Sequence, residues 1–229
     1  MEQTVVCRKL SKTYKQDAIA VHALSDVDVD VAEGDFVCLS GPSGSGKTTL
    51  LNLIGGLDRP TSGEITVAGR RVDLMSQAEL ATMRLMHLGF VFQAYNLIPV
   101  LTAVENVEFV MQLQGIDRKE RRARARAILR EVGLEGLENR RPAELSGGQQ
   151  QRVAVARAIV SGPSLVLADE PTANLDSING EMLLELMRKM NEEHGATFIV
   201  ATHEQLVMDH AKRLIGLHDG RIVSDELQR

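Results

Sequence analysis

The stretch GPSGSGKT, Gly41 to Thr48, decides how this 229-residue chain is read. It meets the pattern G-x-x-x-x-G-K-[ST] at every fixed position, after the apolar run DFVCLS and before TTLLNLIGGL, an expected helix. In such a strand–loop–helix, successive backbone N–H groups curl around phosphate, and only glycine lets the backbone come so close. Gly41, Gly44 and Gly46 meet that need, with Pro42, Ser43 and Ser45 between them and Thr49 just beyond. Lys47 brings a point charge to the outer phosphates, and the Thr48 hydroxyl is a ligand for Mg²⁺.

Two further stretches bear on the same chemistry. LVLADEP, Leu165 to Pro171, is an apolar strand ending in two acids. Asp169 can reach a metal, usually through water, while Glu170 points elsewhere and can polarise an attacking water. A strand that merely ends in a polar turn is the plainer alternative. LSGGQQQRVAVARAIV, Leu145 to Val160, opens what reads as an amphipathic helix. Ser146, Gly147 and Gly148 form either a second anion site at a helix N-terminus or an ordinary N-cap followed by flexible glycines. The residues alone do not separate these two readings.

The bulk composition sets bounds. The length fits one domain, or one domain with an inserted lobe. A net charge of −5 argues against a nucleic-acid binder that works through bulk electrostatics, and 3% aromatics without Trp argues against a stacking platform for single strands. Cys7 and Cys38 lie far apart without a metal-binding pattern, and read as reduced core thiols of a cytosolic protein. The N-terminus lacks the features of a signal peptide and no stretch reaches 18 apolar residues, so a soluble intracellular chain is expected.

Along the chain, TVVCRKL and ALSDVDVDV read as half-exposed strands, the second with Val27, Val29 and Val31 opposite Asp28 and Asp30. GEITVAG adds a third, so the N-terminal region is expected to be partly antiparallel. From Leu97 to Val160 the pattern is mostly helical. Seven basic residues fall between Arg118 and Arg130, on an expected solvated helix whose apolar side holds Ala123, Ala127, Ile128 and Val132. Alternating strands and helices then return, ending in two short strands around an Asp-Gly turn. There is no internal repeat.

GPSGSGKT, LSGGQ and LVLADEP in this order resemble the ATPase subunit of an ABC transporter, over essentially the whole chain. The resemblance implies an α/β fold: a RecA-like P-loop NTPase core with an N-terminal antiparallel β subdomain and an inserted α-helical subdomain. Residues 1–93 and 161–229 would form the first two, and 94–160 the helical part. It implies ATP and Mg²⁺ as ligands, with Thr48, Gln93 and Asp169 at the metal and an intact Glu170 making the chain hydrolytically competent. It also implies a homodimer that sandwiches two ATP molecules head to tail. Leu145, Ser146, Gly147, Gly148 and Gln149 would then be the signature motif, meeting the ATP held by the other copy. Gln93 resembles the glutamine that senses Mg²⁺ and water, His203 the switch histidine on the γ-phosphate, and Asn174, Leu175 and Asp176 the loop crossing the dimer interface. Tyr14 matches the aromatic that stacks on adenine, with an exposed turn tyrosine as the alternative.

LLNLIGGLDRPTSGEI, LGFVFQAYNLIPVLTAVENV and GPSLVLADEPTANLDSINGE resemble the ATPases of lipoprotein-releasing and macrolide-exporting systems. That likeness implies a membrane partner contacted from Gln93 through Tyr95 to Pro99, at the cytoplasmic face of the inner or plasma membrane. Antimicrobial-peptide exporters and a regulatory cell-division ATPase share much of this wording. A soluble ABC ATPase acting on nucleic acid or ribosomes is a further alternative. Against it stand the single phosphate loop and the absence of sustained heptads between loop and signature.

Overall fold

The computed structural model describes residues 2–16 and 19–228. In chain order its strands are β1 (Gln3–Gln16), β2 (Ile19–Ala32), β3 (Phe36–Ser40), β4 (Ser62–Val67), β5 (Arg70–Arg71), β6 (Leu88–Phe92), β7 (Leu165–Asp169), β8 (Thr197–Thr202), β9 (Arg213–His218) and β10 (Arg221–Leu227). Its helices are α1 (Lys47–Ile54), α2 (Gln77–His87), α3 (Ala103–Leu113), α4 (Arg118–Glu131), α5 (Gly147–Ile159), α6 (Ser177–His194) and α7 (Gln205–His210).

The strands make two sheets. One is antiparallel, in the order β2-β1-β4-β5; the other runs β10-β9-β3-β8-β7-β6 and is parallel except for β10. In β2 the alternation sorts side chains as expected: Val27, Val29 and Val31 are buried, Asp28 is exposed, and Asp30 pairs with Arg8 across the ladder.

The parallel strands read as continuous apolar runs because both of their faces are covered. Phe36 and Cys38 of β3, Val166 and Ala168 of β7, and Phe198 and Val200 of β8 pack into one core with α3 to α6. Val37 and Leu39, Leu165 and Leu167, and Ile199 and Ala201 pack into the other, with α1 and the antiparallel sheet. The rings of Phe36 and Phe198 stack at 5.5 Å.

Between β6 and β7 the chain forms no strand among the described residues; α3, α4 and α5 pack on one another there, and α5 lies against β6. The charged run is α4, capped by Asp117, whose side chain accepts from the Lys119 and Glu120 amides. Its buried side consists of Ala125, Ile128 and Leu129, continued by Val132, the i, i+3, i+4, i+7 spacing of one helix face. Ile128 and Val132 lie on the expected face, but Ala123 and Ala127 are exposed, and Ala125 and Leu129 take the places expected for them.

At the other end of the chain, Asp219 and Gly220 turn β9 into β10 with φ of 47° and 73°, as a tight hairpin requires. Cys7 and Cys38 are buried and unpaired, and burial pushes both thiols up to about 12. No helix of the described residues is long and apolar enough to cross a membrane.

The phase of α4 can be checked directly. Ala127→Gln should change stability by no more than about 0.5 kcal/mol, whereas Ala125→Gln, forced into a packed core, should cost about 1–3 kcal/mol in urea denaturation.

Candidate functional site

The chain leaves β3 at Ser40 and re-enters regular structure at Lys47, the first residue of α1. Gly41 and Gly46 take φ of 148° and 106°. A Cβ on Gly41 would sit 2.2 Å from the Leu217 carbonyl oxygen, and one on Gly46 would sit 2.6 Å from that of Ala23. The loop is therefore closed against β9 and β2 by backbone alone, and neither position has space for a side chain.

Lys47 is 6% exposed, and its Nζ donates to the carbonyls of Gly41 (2.7 Å) and Pro42 (3.0 Å). Ser45 Oγ is buried with no hydrogen-bond partner among the described residues. Residues 42–49 form one wall of a cleft of about 550 Å³, which Val21, His22 and Ala23 of β2, with Gln93, Glu170, Ala173 and His203, complete.

The two acids at the end of β7 have different partners. Asp169 Oδ1 accepts from the Thr48 hydroxyl at 3.2 Å. Burial raises the Asp169 carboxyl above its ordinary range; the Thr48 hydrogen bond opposes this, the Glu170 charge adds to it, and Lys47 opposes it. Glu170 takes a left-handed backbone with φ 46°. Its Oε1 lies 2.8 Å from His203 Nδ1, and its Oε2 accepts from the Thr202 hydroxyl at 3.0 Å. Main-chain N–H groups at a helix start, a buried ammonium, and hydroxyl and carboxylate oxygens side by side suit a polyphosphate and a hard divalent cation.

Ser146 caps α5. Its Oγ accepts from the Gln149 amide at 3.3 Å, and the Gln149 side chain accepts from the Ser146 amide at 2.9 Å. Leu145 is buried in the core. Gly147 and Gly148 are helical rather than loose. A Cβ on Gly147 would stand 2.8 Å from the Tyr95 hydroxyl oxygen, and one on Gly148 3.0 Å from Asn179 Oδ1. None of residues 145–149 lines the cleft, so the chain does not bring its two glycine-bearing helix starts together.

Asn174 lies near both: its Nδ2 donates to the Gln93 carbonyl at 2.8 Å, and its own carbonyl oxygen is 3.9 Å from a Cβ built on Gly147. Leu175 packs on the core, and Asp176 caps α6 by accepting from the Asn179 amide at 3.0 Å.

Tyr14 is not on the cleft wall. Its hydroxyl donates to Asp58 at 2.8 Å, and Lys12 Nζ stands 4.7 Å above its ring, covering one face. In the β1–β2 register it is paired with Val21, which does line the cleft.

Several positioning groups were not foreseen. Gln151, fully buried, donates to the Pro171 carbonyl at 2.6 Å and ties α5 to the segment after Glu170. Arg157 donates to the carbonyls of Tyr95 (3.0 Å) and Asn96 (2.5 Å), two residues with positive φ. A signal for Gln151 existed: a polar residue at the i, i+3, i+4, i+7 phase of Ala154, Val155 and Ala158, on the apolar side of the helix.

The family model described as ABC transporter matches residues 24–173. The chain is 49% identical over 211 residues to an uncharacterized ABC transporter ATP-binding protein of Thermotoga maritima, covering 92% of this chain and 90% of that one. It is 45% identical to the ATP-binding protein MJ0796 of Methanocaldococcus jannaschii, covering 97% of this chain and 96% of that one. The macrolide export ATP-binding/permease protein MacB of Sodalis glossinidius is 45% identical over 94% of this chain, which spans only 33% of that protein. Among solved structures, a dimeric post-hydrolysis state of MJ0796 bound to ADP and Pi superposes with a TM-score of 0.90 at 44% identity, covering 98% of this chain and 99% of that one.

Folding raises the Asp169 carboxyl above its ordinary value of 3.8, so its ionisation opposes folding. That opposition sets in as pH rises from 3.8 through the folded value and is complete above it. Asp169→Asn should therefore raise the melting temperature of EDTA-treated, nucleotide-free protein at about pH 7, with the gain vanishing below about pH 4. Calorimetry at the two pH values measures it, and no gain at neutral pH would contradict the burial argument.

Proposed function

This chain belongs to the ABC transporter family, and on that premise we propose that it is an ATP-hydrolysing motor subunit that works as an ATP-sandwich homodimer. The observation that carries the reading is an incomplete site. Lys47, Gln93, Glu170 and His203 share one cleft, while Leu145, Ser146, Gly147, Gly148 and Gln149 stand outside it. A second copy, turned head to tail, would supply its own α5 N-terminus to the open side of that cleft. The dimeric form of the M. jannaschii relative, bound to ADP and Pi, supports this arrangement.

In the division of labour we propose, residues 1–93 and 161–229 make the β subdomain and RecA-like core, and residues 94–160 make the helical subdomain that carries the signature. ATP would lie in the loop of residues 41–49, with Lys47 moving its donors from the Gly41 and Pro42 carbonyls to phosphate oxygens. Thr48, Gln93 and Asp169 would hold Mg²⁺, which when bound neutralises phosphate charge. Glu170 takes a proton from the water that attacks the γ-phosphorus, the bond to the β-phosphate oxygen breaks, and His203 holds the γ-phosphoryl oxygens. Tyr14, the register partner of the cleft-lining Val21, would stack on adenine with the ring face that Lys12 leaves open.

The membrane partner would dock beside residues 93–99. A groove of about 370 Å³ opens there, lined by Leu57, Leu85, Phe90, Phe92, Asn96 and Val110 among others, and Leu57 is half exposed on its rim. Its apolar lining suits an inserted apolar segment of a membrane subunit, which would hold the chain at the cytoplasmic face of the membrane. The likeness to MacB favours export, lipoprotein release or transmission of force over a soluble role, with no nucleic-acid partner.

Glu170→Gln should leave ATP binding intact, slow turnover by about 10²–10⁴-fold and accumulate a dimer with MgATP in light scattering. Turnover near the unmodified rate would remove Glu170 from its role. Ser146→Arg mixed with Lys47→Ala should recover ATP-dependent pairing that neither variant shows alone, because each mixed dimer keeps one intact composite site. A mixture no better than either variant would rule out the sandwich.

A further inference from the structure

At the carboxyl ends of β7 and β8 the two strands exchange hydrogen bonds. Thr202, the last residue of β8 and fully buried, donates from Oγ1 to Glu170 Oε2 at 3.0 Å. Thr172, just past β7 and 2% exposed, donates to Glu204 Oε2 at 2.8 Å. Each strand end thus supplies a threonine to the glutamate of the other. Two main-chain amides reinforce the exchange: that of Glu170 donates to the Ala201 carbonyl at 2.9 Å, and that of Glu204 donates to Thr202 Oγ1 at 3.1 Å.

The direction of this chain of bonds follows from chemistry alone. An amide N–H can only donate and an ionised carboxylate can only accept, so the Glu204 amide occupies a lone pair of Thr202 Oγ1. The hydroxyl proton is thereby turned toward Glu170. That matters because Glu170 holds φ 46°, a conformation that a non-glycine residue keeps only when its surroundings over-determine it. Thr202 fixes Oε2, the Ala201 carbonyl fixes the Glu170 amide, and Oε1 is left facing His203 and the cleft.

We infer that Thr202 is a positioning residue for hydrolysis. Its hydroxyl locks the Glu170 carboxylate in the orientation that presents Oε1 to the attacking water, and the Thr172–Glu204 bond locks the loop that orients that hydroxyl. The inference rests on the reading of Glu170 as the base. Glu204 has a part in it as well, because its side chain ties the segment leading to Asn174, Leu175 and Asp176 to the loop bearing His203.

Thr202→Val removes the hydroxyl at nearly constant volume. It should lower kcat by about 10- to 100-fold while leaving nucleotide affinity, measured by equilibrium binding of a fluorescent ATP analogue, within about twofold. Thr202→Ser should restore most of the rate, because it returns the hydroxyl without the methyl group. In a Glu170→Gln background, Thr202→Val should cost nothing further, since the group it positions has already been changed. Glu170→Gln as fast as the unmodified protein would remove the base and this inference together. Thr202→Val at full rate while Glu170→Gln is slow would overturn this inference alone. So would failure of Thr202→Ser to recover, or an undiminished effect of Thr202→Val in the Glu170→Gln background.

Discussion

Everything in the site depends on the parallel pairing of β3 and β7 with β8. The register sets Ser40 opposite Thr202, and Asp169 opposite Ala201, so three strands end at one level. Three loops then leave the sheet side by side: the glycine loop after β3, the acidic turn after β7 and the His203 segment after β8. Crevices at the carboxyl ends of parallel strands are where open α/β sheets place their ligands. The physical reason here is that both faces of the sheet are consumed by packing, Phe36 and Phe198 on one side and Leu39 and Ile199 on the other, leaving the strand ends as open ground. A slip of one residue in β8 would invert its two faces and withdraw Thr202 from Glu170 in the same movement.

The glycines of the two helix starts solve different problems. Gly41 and Gly46 adopt backbone angles that other residues resist, and they also face carbonyl oxygens where a Cβ would fall. Gly147 and Gly148 have ordinary helical angles; what they provide is room, for the Tyr95 hydroxyl and for Asn179. This helix start is fixed by the reciprocal Ser146–Gln149 cap, and its glycines lie where Tyr95 and Asn179 leave no space for a Cβ. A rigid terminus with its first amides directed outward is better suited to meeting an anion than a flexible one, because little ordering cost remains at contact.

Much of this was legible in the sequence, and the remainder failed for identifiable reasons. Alternation in β2, apolar runs in β3, β7 and β8, and the Asp-Gly hairpin are local signals, and each element formed where its pattern stood. The α4 face is ambiguous in sequence because Ala123, Ala125 and Ala127 alternate through the segment and fit more than one helical phase; the larger Ile128, Leu129 and Val132 fix it. The Tyr14 hydroxyl is bonded to Asp58, and that bond spans 44 residues, beyond any local pattern. The Thr–Glu exchange was invisible for the same reason. It exists only once β7 and β8 are in register.

The two buried thiols carry a practical consequence. Burial pushes the Cys7 and Cys38 thiols up to about 12, so little thiolate is present at neutral pH, and both side chains are sealed from solvent. Thiolate is the form that adds to maleimide reagents, so the native chain is nearly silent toward them while it stays folded. A single cysteine introduced on an exposed surface, such as the outward side of α4, would accept a spin label or fluorophore selectively. Distances between two copies could then be followed by spectroscopy without first stripping out the natural sulfur.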